Sequence, residues 1–262
     1  MTPFTAFILA NTRHGAMILN RFDVTQAQDL PGHSVGVGGE IMEFGEYQAS
    51  EGNAIIQLML MRRQSVGDGV ITLDIGANIG AHTCRWARAC EGWGGVHAFE
   101  AQERVFYALT GNIAIGNHFN AYAYHMAVGS RCGRMAIPSM NHTMYGNFGG
   151  LGLTPTDREP GQQISYVDGL QDVMIATIDS MQFPRVDLMK IDVEGMEIDV
   201  LNGAINTIMR CRPMIYAEHD IAGLEGIQNI LPDYQFLHPM GQRNVLCIHK
   251  EDPALKILKG VQ

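Results

Sequence analysis

Val70-Ile71-Thr72-Leu73-Asp74-Ile75-Gly76-Ala77-Asn78-Ile79-Gly80 is the stretch from which the fold follows. The apolar run at 70–73 predicts a buried strand, the glycine-bearing segment 74–80 a turn, and the residues through about Cys90 a helix. A second apolar run, Val96-His97-Ala98-Phe99, ends on Glu100. Gly76 and Gly80 lack a β-carbon, so the backbone can turn sharply there and a ligand can approach the amides at the helix start. Strand, glycine turn, helix, strand and acid together read as a nucleotide cradle. Glu100 stands about 20 residues past the last glycine, where a carboxylate can accept both hydroxyl protons of a ribose.

Dinucleotide folds use G-x-G-x-x-G, whose middle glycine lets a pyrophosphate rest on the helix end; here that position is Asn78. Asp74 heads the turn instead. An acid there repels a pyrophosphate and suits the ammonium of an amino acid, so the segment fits S-adenosylmethionine better than NAD.

A chain of 262 residues, 46% hydrophobic and 17% charged, can bury one substantial core as a single elaborated α/β domain. The net charge of -9 and scattered Lys and Arg weigh against a nucleic-acid partner. The five cysteines, Cys84, Cys90, Cys132, Cys211 and Cys247, include no C-x-x-C pair and read as reduced thiols. The apolar start at 1–10 has no basic region before it and is too short to span a bilayer, so a soluble cytoplasmic protein without a membrane partner is expected. Sixteen methionines and the apolar N-terminus leave room for homo-oligomerisation.

Residues 1–45 read as two short strands, at 4–24, and a glycine-rich loop at 31–39, packed on a main domain at 46–262. An amphipathic helix carrying Ile55, Ile56, Leu58, Met59 and Met61 ends near Gly67. Tyr47 and Glu51 precede the first core strand, where a segment often folds over the cofactor. After a helix at 102–114, a third strand at 121–128 brings Met126 and Ala127 to the expected adenine edge. Residues 130–168 lack helical periodicity and predict a β-hairpin and loop reaching over the substrate, with His142, Asn147 and the aromatics Tyr145, Phe148 and Tyr166 as its positions of interest.

A fourth strand ends in Lys190-Ile191-Asp192-Val193-Glu194-Gly195-Met196-Glu197, and the acids from Glu194 onward open a helix running through Ile208. Strand alternation puts Lys190 and Asp192 on one face, and a buried lysine needs a carboxylate, so Lys190 reads as structural. A fifth strand at 213–218 brings Glu218, His219 and Asp220 to the same edge. A helix at 224–230 and strands at 234–237 and 244–249 complete the sheet.

The segment 74–80, Phe99-Glu100, Lys190-Ile-Asp-Val-Glu-Gly-Met-Glu197, Leu201-Asn-Gly-Ala204 and Arg212-Pro213 with Glu218 together resemble the FkbM-type S-adenosylmethionine-dependent methyltransferases, from about Gly45 to the C-terminal strands. The resemblance implies a class I methyltransferase Rossmann-like fold: seven strands, mainly parallel with the last antiparallel, and helices on both faces. It also implies O-methylation of a hydroxyl on a sugar, polyketide or related small molecule, with S-adenosylhomocysteine as product. Family members usually carry proline after the second-strand acid; Ala101 departs from this, at the adenine shelf. No N-P-P-Y or D-P-P-Y follows the fourth strand, as an enzyme methylating a base amine would have.

The expected cofactor shell is Asp74, Gly76, Ala77, Asn78, Gly80, Thr83, Glu100, Ala101, Met126 and Ala127, with Tyr47, His142, Asn147 and Glu194 toward the substrate. His219 is the expected general base, with Asp192 and Glu218 as catalytic carboxylates. No metal is assigned, although Asp192 and Glu218 are the pair that could hold a divalent cation. An NAD-dependent oxidoreductase and a catalytically inactive cofactor-binding protein of the same fold are the alternatives.

Overall fold

A computed structural model describes residues 5–26, 34–150, 166–220, 223–238 and 243–259, with backbone alone at 26, 34–35, 166–168 and 259. The first unit is the hairpin β1 (Phe7–Thr12) and β2 (Gly15–Asn20), followed by the short pair β3 (Thr25–Gln26) and β4 (Ser34–Val35), then α1 (Val37–Phe44) and α2 (Ala49–Val66). The central unit is β5 (Val70–Ile75), α3 (Ala81–Ala89), β6 (Gly94–Glu100), α4 (Glu103–Ile115) and β7 (Ala121–His125). An appended sheet of β8 (Ala127–Val128), β9 (Gly133–Met140) and β10 (Tyr166–Ala176) precedes β11 (Leu188–Ile191), α5 (Glu197–Asn202), α6 (Ile205–Cys211) and β12 (Met214–Glu218). The last elements are α7 (Leu224–Ile230), β13 (Tyr234–Leu237), β14 (Asn244–His249) and α8 (Ala254–Lys259).

Seven strands form the central sheet in the order β13-β14-β12-β11-β5-β6-β7. The run β12-β11-β5-β6-β7 is parallel, and β14 lies antiparallel to both its neighbours. This is the class I methyltransferase arrangement expected from the sequence. β5 and β11 are its middle strands; β11 is buried at every position and β5 at all but Ile71, which is why they read as continuous apolar runs rather than alternating ones. Leu73, Ile75, Met189, Ile191 and Ile215 pack with Val200, Leu201, Ile208 and Ile227 of α5, α6 and α7 on one face. Leu188, Met214, Tyr216 and Ile248 pack with Ile55, Met59, Trp86 and Leu255 of α2, α3 and α8 on the other.

Three readings need correction. The glycine-rich segment 31–39 is not loop throughout, because α1 already begins at Val37. A β-carbon on Gly38 would stand 2.2 Å from the Asn20 carbonyl oxygen, so this glycine permits close packing rather than loop freedom. The strand at 121–128 is broken at Met126, where β7 leaves off and β8 turns to pair with β10. The helix after Asp192 is two short helices parted at Gly203, whose β-carbon would meet the Gly129 carbonyl at 2.0 Å. The expected hairpin is β9 with β10, and its return arm runs on to Ala176, beyond the predicted end at 168.

Asn112 of α4 fixes the N-terminal hairpin to the core: its Oδ1 accepts the Ile18 amide at 2.6 Å, and its Nδ2 donates to the carbonyls of Ile18 and Ile79. At the opposite end, Arg62 of α2 donates to Asp252 at 2.6 Å and lies 3.5 Å from Asp187, which is also bound by Arg185. Both carboxylates are nearly inaccessible, so removing one leaves a buried guanidinium undercompensated. Asp252→Ala is expected to cost about 3 kcal/mol, seen as a lowered urea midpoint with unchanged slope. An unchanged midpoint would mean that Asp187 alone satisfies Arg62.

Candidate active site

The glycine loop sits at the carboxyl edge of the sheet, where open α/β sheets bind their ligands. Gly76 has φ +84° and passes so near the end of β11 that a β-carbon would fall 1.8 Å from the Asp192 carbonyl oxygen. Asn78 (φ 51°) and Gly80 (φ +82°) also take left-handed conformations. The loop closes its own amides. Gly76 and Ala77 donate to the Phe99 carbonyl, Asn78 to Glu100 Oε2 at 2.9 Å, Ile79 to Asn78 Oδ1, and Gly80 to the Ala77 carbonyl. All five N–H groups are thereby engaged, and none points outward as the cradle reading expected.

Glu100 ends β6 with its carboxylate buried, Oε1 accepting the Gln102 amide at 2.7 Å and Oε2 that of Asn78. Burial pushes its carboxyl up to about 7, against the lowering effect of these backbone donors. The cleft, about 280 Å³, is near the lower end of the usual small-ligand range of ~300–1,000 Å³. Of the expected cofactor shell, Gly76, Ala77, Asn78, Glu100, Ala101, Met126 and Ala127 line it. Gln102, which sequence reasoning missed, lines it too. Its Nε2 donates to the Phe148 carbonyl, while its buried Oε1 has no partner among the described residues.

Asp74, Gly80 and Thr83 stand behind this wall rather than in it. Thr83 donates its hydroxyl to Asp74 at 2.5 Å, so the pair ties α3 to β5. The second Asp74 oxygen faces Lys190 Nζ at 3.9 Å. Gly80 is filled against Leu109, where a β-carbon would stand 2.6 Å away.

Asn147, Gly149 and Gly150, from the segment following β9, roof the cleft together with Gly36 and Val37. Asp23 latches this roof: one carboxylate oxygen accepts the Phe148 amide at 2.9 Å and the other the Gly38 amide at 3.0 Å. His142 does not reach the cleft. Its ring packs between Phe7 and Phe148, and burial lowers its titration to about 4. Part of the predicted insertion, 151–165, lies outside the described residues.

Beyond the glycine loop the cleft is lined by Tyr47, Lys190, Asp192, Glu194, Glu218 and Arg243. Lys190 Nζ lies 2.9 Å from Asp192 Oδ2, the pair anticipated from strand alternation. Burial acts to deprotonate Lys190, but Asp192, Asp74 and Glu51 outweigh it and hold the ammonium firmly charged. Asp192 is itself held below the usual carboxylate range; burial opposes this, and the charge and hydrogen bond of Lys190 prevail. Glu194 and Glu218 are each pushed up to about 8, by burial first and then by the Asp192 charge. One oxygen from each of these three acids lies within 4.8 Å of the others, which adds Glu194 to the predicted cation pair.

His219 is not among the lining residues; its ring meets His238 edge-on at 5.7 Å. The imidazole that lines the cleft is His82, on the first turn of α3. It stacks on Trp86 at 5.1 Å, lies 5.4 Å from the Tyr47 ring, and has Nε2 3.4 Å from Glu51. The only sequence signal for it is its place two residues past Gly80.

A buried carboxylate, a glycine loop at a strand end and an ionisable far wall thus share one cleft at the carboxyl edge of the sheet. Residues 74–241, more than half of the chain, match the methyltransferase FkbM domain, and the chain belongs to that family. The chain is similar to a methyltransferase FkbM from Methylobacillus flagellatus KT, at 19% identity over 70% of this chain and 44% of that one, with a TM-score of 0.49. It is also similar to monomeric WbdD (9% identity, 80% and 43% covered, TM-score 0.47). A third is the precorrin-6y C5,15-methyltransferase of Geobacter metallireducens GS-15 (11% identity, 81% and 95% covered, TM-score 0.44). The chain spans less than half the length of the first two. No curated protein sequence matches it. Among the described residues, no helix is long and apolar enough to cross a membrane.

The raised carboxyls give a stability test. A Glu194 value of about 8 in the fold, above 4.5 unfolded, contributes stability below the unfolded value that is lost as pH rises through about 8. Glu194→Gln has no such loss. Its Tm relative to the unmodified protein is expected to be more favourable at pH 9 than at pH 5, by at least ~2 °C. An equal difference at both pH values would show that Glu194 ionises freely.

Proposed function

We propose that this chain is an S-adenosylmethionine-dependent O-methyltransferase acting on a hydroxyl of a small molecule or saccharide. The observation that carries the reading is the pairing of the buried Glu100 carboxylate with a glycine loop whose five amides are already engaged. Such a site offers an acceptor for ribose hydroxyls and no nest for a pyrophosphate, which argues against the dinucleotide alternative.

The residues present fit an adenosyl ligand. Gln102 Oε1 is a buried acceptor without a partner among the described residues, beside Met126 and Ala127, and an adenine amino group supplies the missing donor. S-adenosylmethionine, when bound, supplies a sulfonium-activated methyl group. Glu100 would hold the ribose, and the wall of Asp192, Glu194 and Glu218 would face the methionine and acceptor end. Methyl transfer gains most from holding two reactants in line, and Asp192, 2.9 Å from Lys190, would orient a hydroxyl there. A divalent cation at the three acids would acidify that hydroxyl, at the cost of displacing the protons Glu194 and Glu218 hold near neutrality. The net charge of -9 disfavours nucleic acid as acceptor.

The test is transfer of labelled methyl from S-adenosylmethionine to a panel of methyl glycosides, polyols and polyketide alcohols, with transfer RNA alongside. Label is expected in an ether product of one hydroxylated class. Asp192→Asn should lower turnover by about 10²-fold while leaving S-adenosylhomocysteine affinity nearly unchanged. Label in nucleic acid or on an amine would contradict the reading, and equal losses of turnover and affinity would move Asp192 into the cofactor shell.

A further inference from the structure

We propose that His82, oriented by Glu51, is the base that takes the proton from the acceptor hydroxyl. This inference rests on the methyl-transfer reading and assigns the proton acceptor that reading needs.

An aliphatic hydroxyl becomes a competent nucleophile only as its proton leaves. The far end of the cleft holds several ionisable groups, most already committed. Lys190 is an ammonium between Asp74 and Asp192 and can only donate. Asp192 is held 2.9 Å from that ammonium. Glu194 and Glu218 are gathered with Asp192 in an acidic cluster, one oxygen from each within 4.8 Å of the others. The Tyr47 phenol is pushed by burial well above its usual range and is not a base at neutral pH. His82 is the one imidazole among the described lining residues.

Its surroundings are those of a positioned base. The ring lies 2° from parallel with the Trp86 indole, which is itself fixed by donating to the Gly52 carbonyl. Glu51 Oε1 stands 3.4 Å from Nε2, and its other oxygen accepts the Tyr216 hydroxyl at 3.3 Å and Asn244 Nδ2 at 3.2 Å. Glu51 is therefore held from β12 and β14 before it touches the histidine. A proton on Nε2 would face Glu51 and leave the Nδ1 lone pair for an incoming hydroxyl. His82 is 4% exposed, and neither ring nitrogen has a hydrogen-bond partner among the described residues, Nε2 meeting Glu51 Oε1 only at 3.4 Å. A buried nitrogen of this kind in a cleft wall is completed by a ligand.

The strand order sets the side of the cleft on which the reacting atoms would lie. Glu100 on β6 and Met126 beyond β7 mark the ribose and adenine ends, so the sulfonium side runs across β5 toward β11. His82 follows the glycine loop that ends β5 by two residues. In the transfer, an oxygen lone pair forms the C–O bond to the methyl carbon and the S–C bonding pair stays on sulfur as a neutral thioether. The hydroxyl proton moves to Nδ1, and Glu51 balances the imidazolium.

The groups facing His82 are Glu40 from α1, Tyr47 from the connection to α2, Glu51 from α2, and Asp192 from the end of β11, itself paired with Lys190. The test is ¹³C-imidazole NMR of the full chain saturated with S-adenosylmethionine or S-adenosylhomocysteine, the His82 signal being assigned by its loss in His82→Asn. A sulfonium near Nδ1 opposes protonation, so the His82 titration midpoint is expected lower with S-adenosylmethionine, by about one pH unit or more. Glu51→Gln should lower the midpoint in both complexes. His82→Asn should keep S-adenosylhomocysteine affinity within about threefold while cutting turnover on any acceptor found by ~10²-fold. Equal midpoints in the two complexes, or affinity lost in His82→Asn, would overturn the role of His82 and leave methyl transfer standing. Failure of the unmodified protein to bind either adenosyl ligand would overturn the methyl-transfer reading itself, and this role with it.

Discussion

An ammonium buried in the middle of a parallel sheet must be paired or it costs several kcal/mol, and in this chain Lys190 sets that requirement. Its register partner on β5 is Asp74 and its nearest charge is Asp192, one strand end further on. Asp74 is in turn bound by Thr83 on α3. One charge therefore fixes the ends of β5 and β11 and the first turn of α3, and these carry the glycine loop, the acidic wall and His82. Removing Lys190 would leave two carboxylates facing each other across the sheet with no cation between them.

That pairing also decides which acids carry charge. Asp192 stays ionised because Lys190 compensates it, and its charge then raises Glu194 and Glu218. Three acids of nearly equal intrinsic strength become one carboxylate and two proton holders. At the other end of the cleft Glu100 is raised by burial first and slightly by the Asp74 charge, with the backbone amides of Gln102, Asn78 and Ala101 favouring the ionised form. Hydroxyl donors of a ribose would add to those amides. In the proposed reaction the two ends would have opposite requirements, diol recognition at one and proton management at the other.

Much of this was legible in the sequence because it follows from periodicity and from residues at strand ends. The five parallel strands appear as apolar runs, Glu100 closes the second of them, and the Lys190–Asp192 contact follows from alternation alone. What was not legible depends on packing between distant segments. Gly38 and Gly39 suggest a loop, yet they sit in α1 because Asn20, Asp23 and Val24 press against that helix. Met126 lies within an apolar run that reads as one strand; the break appears only because β10 returns to capture Ala127. A linear reading points to His219 as the base and gives His82 no role. The difference is that His82 is held by Trp86 and by Glu51, 31 positions upstream, while His219 packs toward His238 outside the lining.

The adenosyl assignment is tested most directly by calorimetric titration of the unmodified protein and Glu100→Ala with S-adenosylmethionine, S-adenosylhomocysteine and NAD. Both adenosyl ligands should bind, NAD should not, and Glu100→Ala should weaken both by roughly 10- to 100-fold, the loss of charge-assisted hydrogen bonds to a ribose. Binding of NAD, or adenosyl binding indifferent to Glu100, would contradict it.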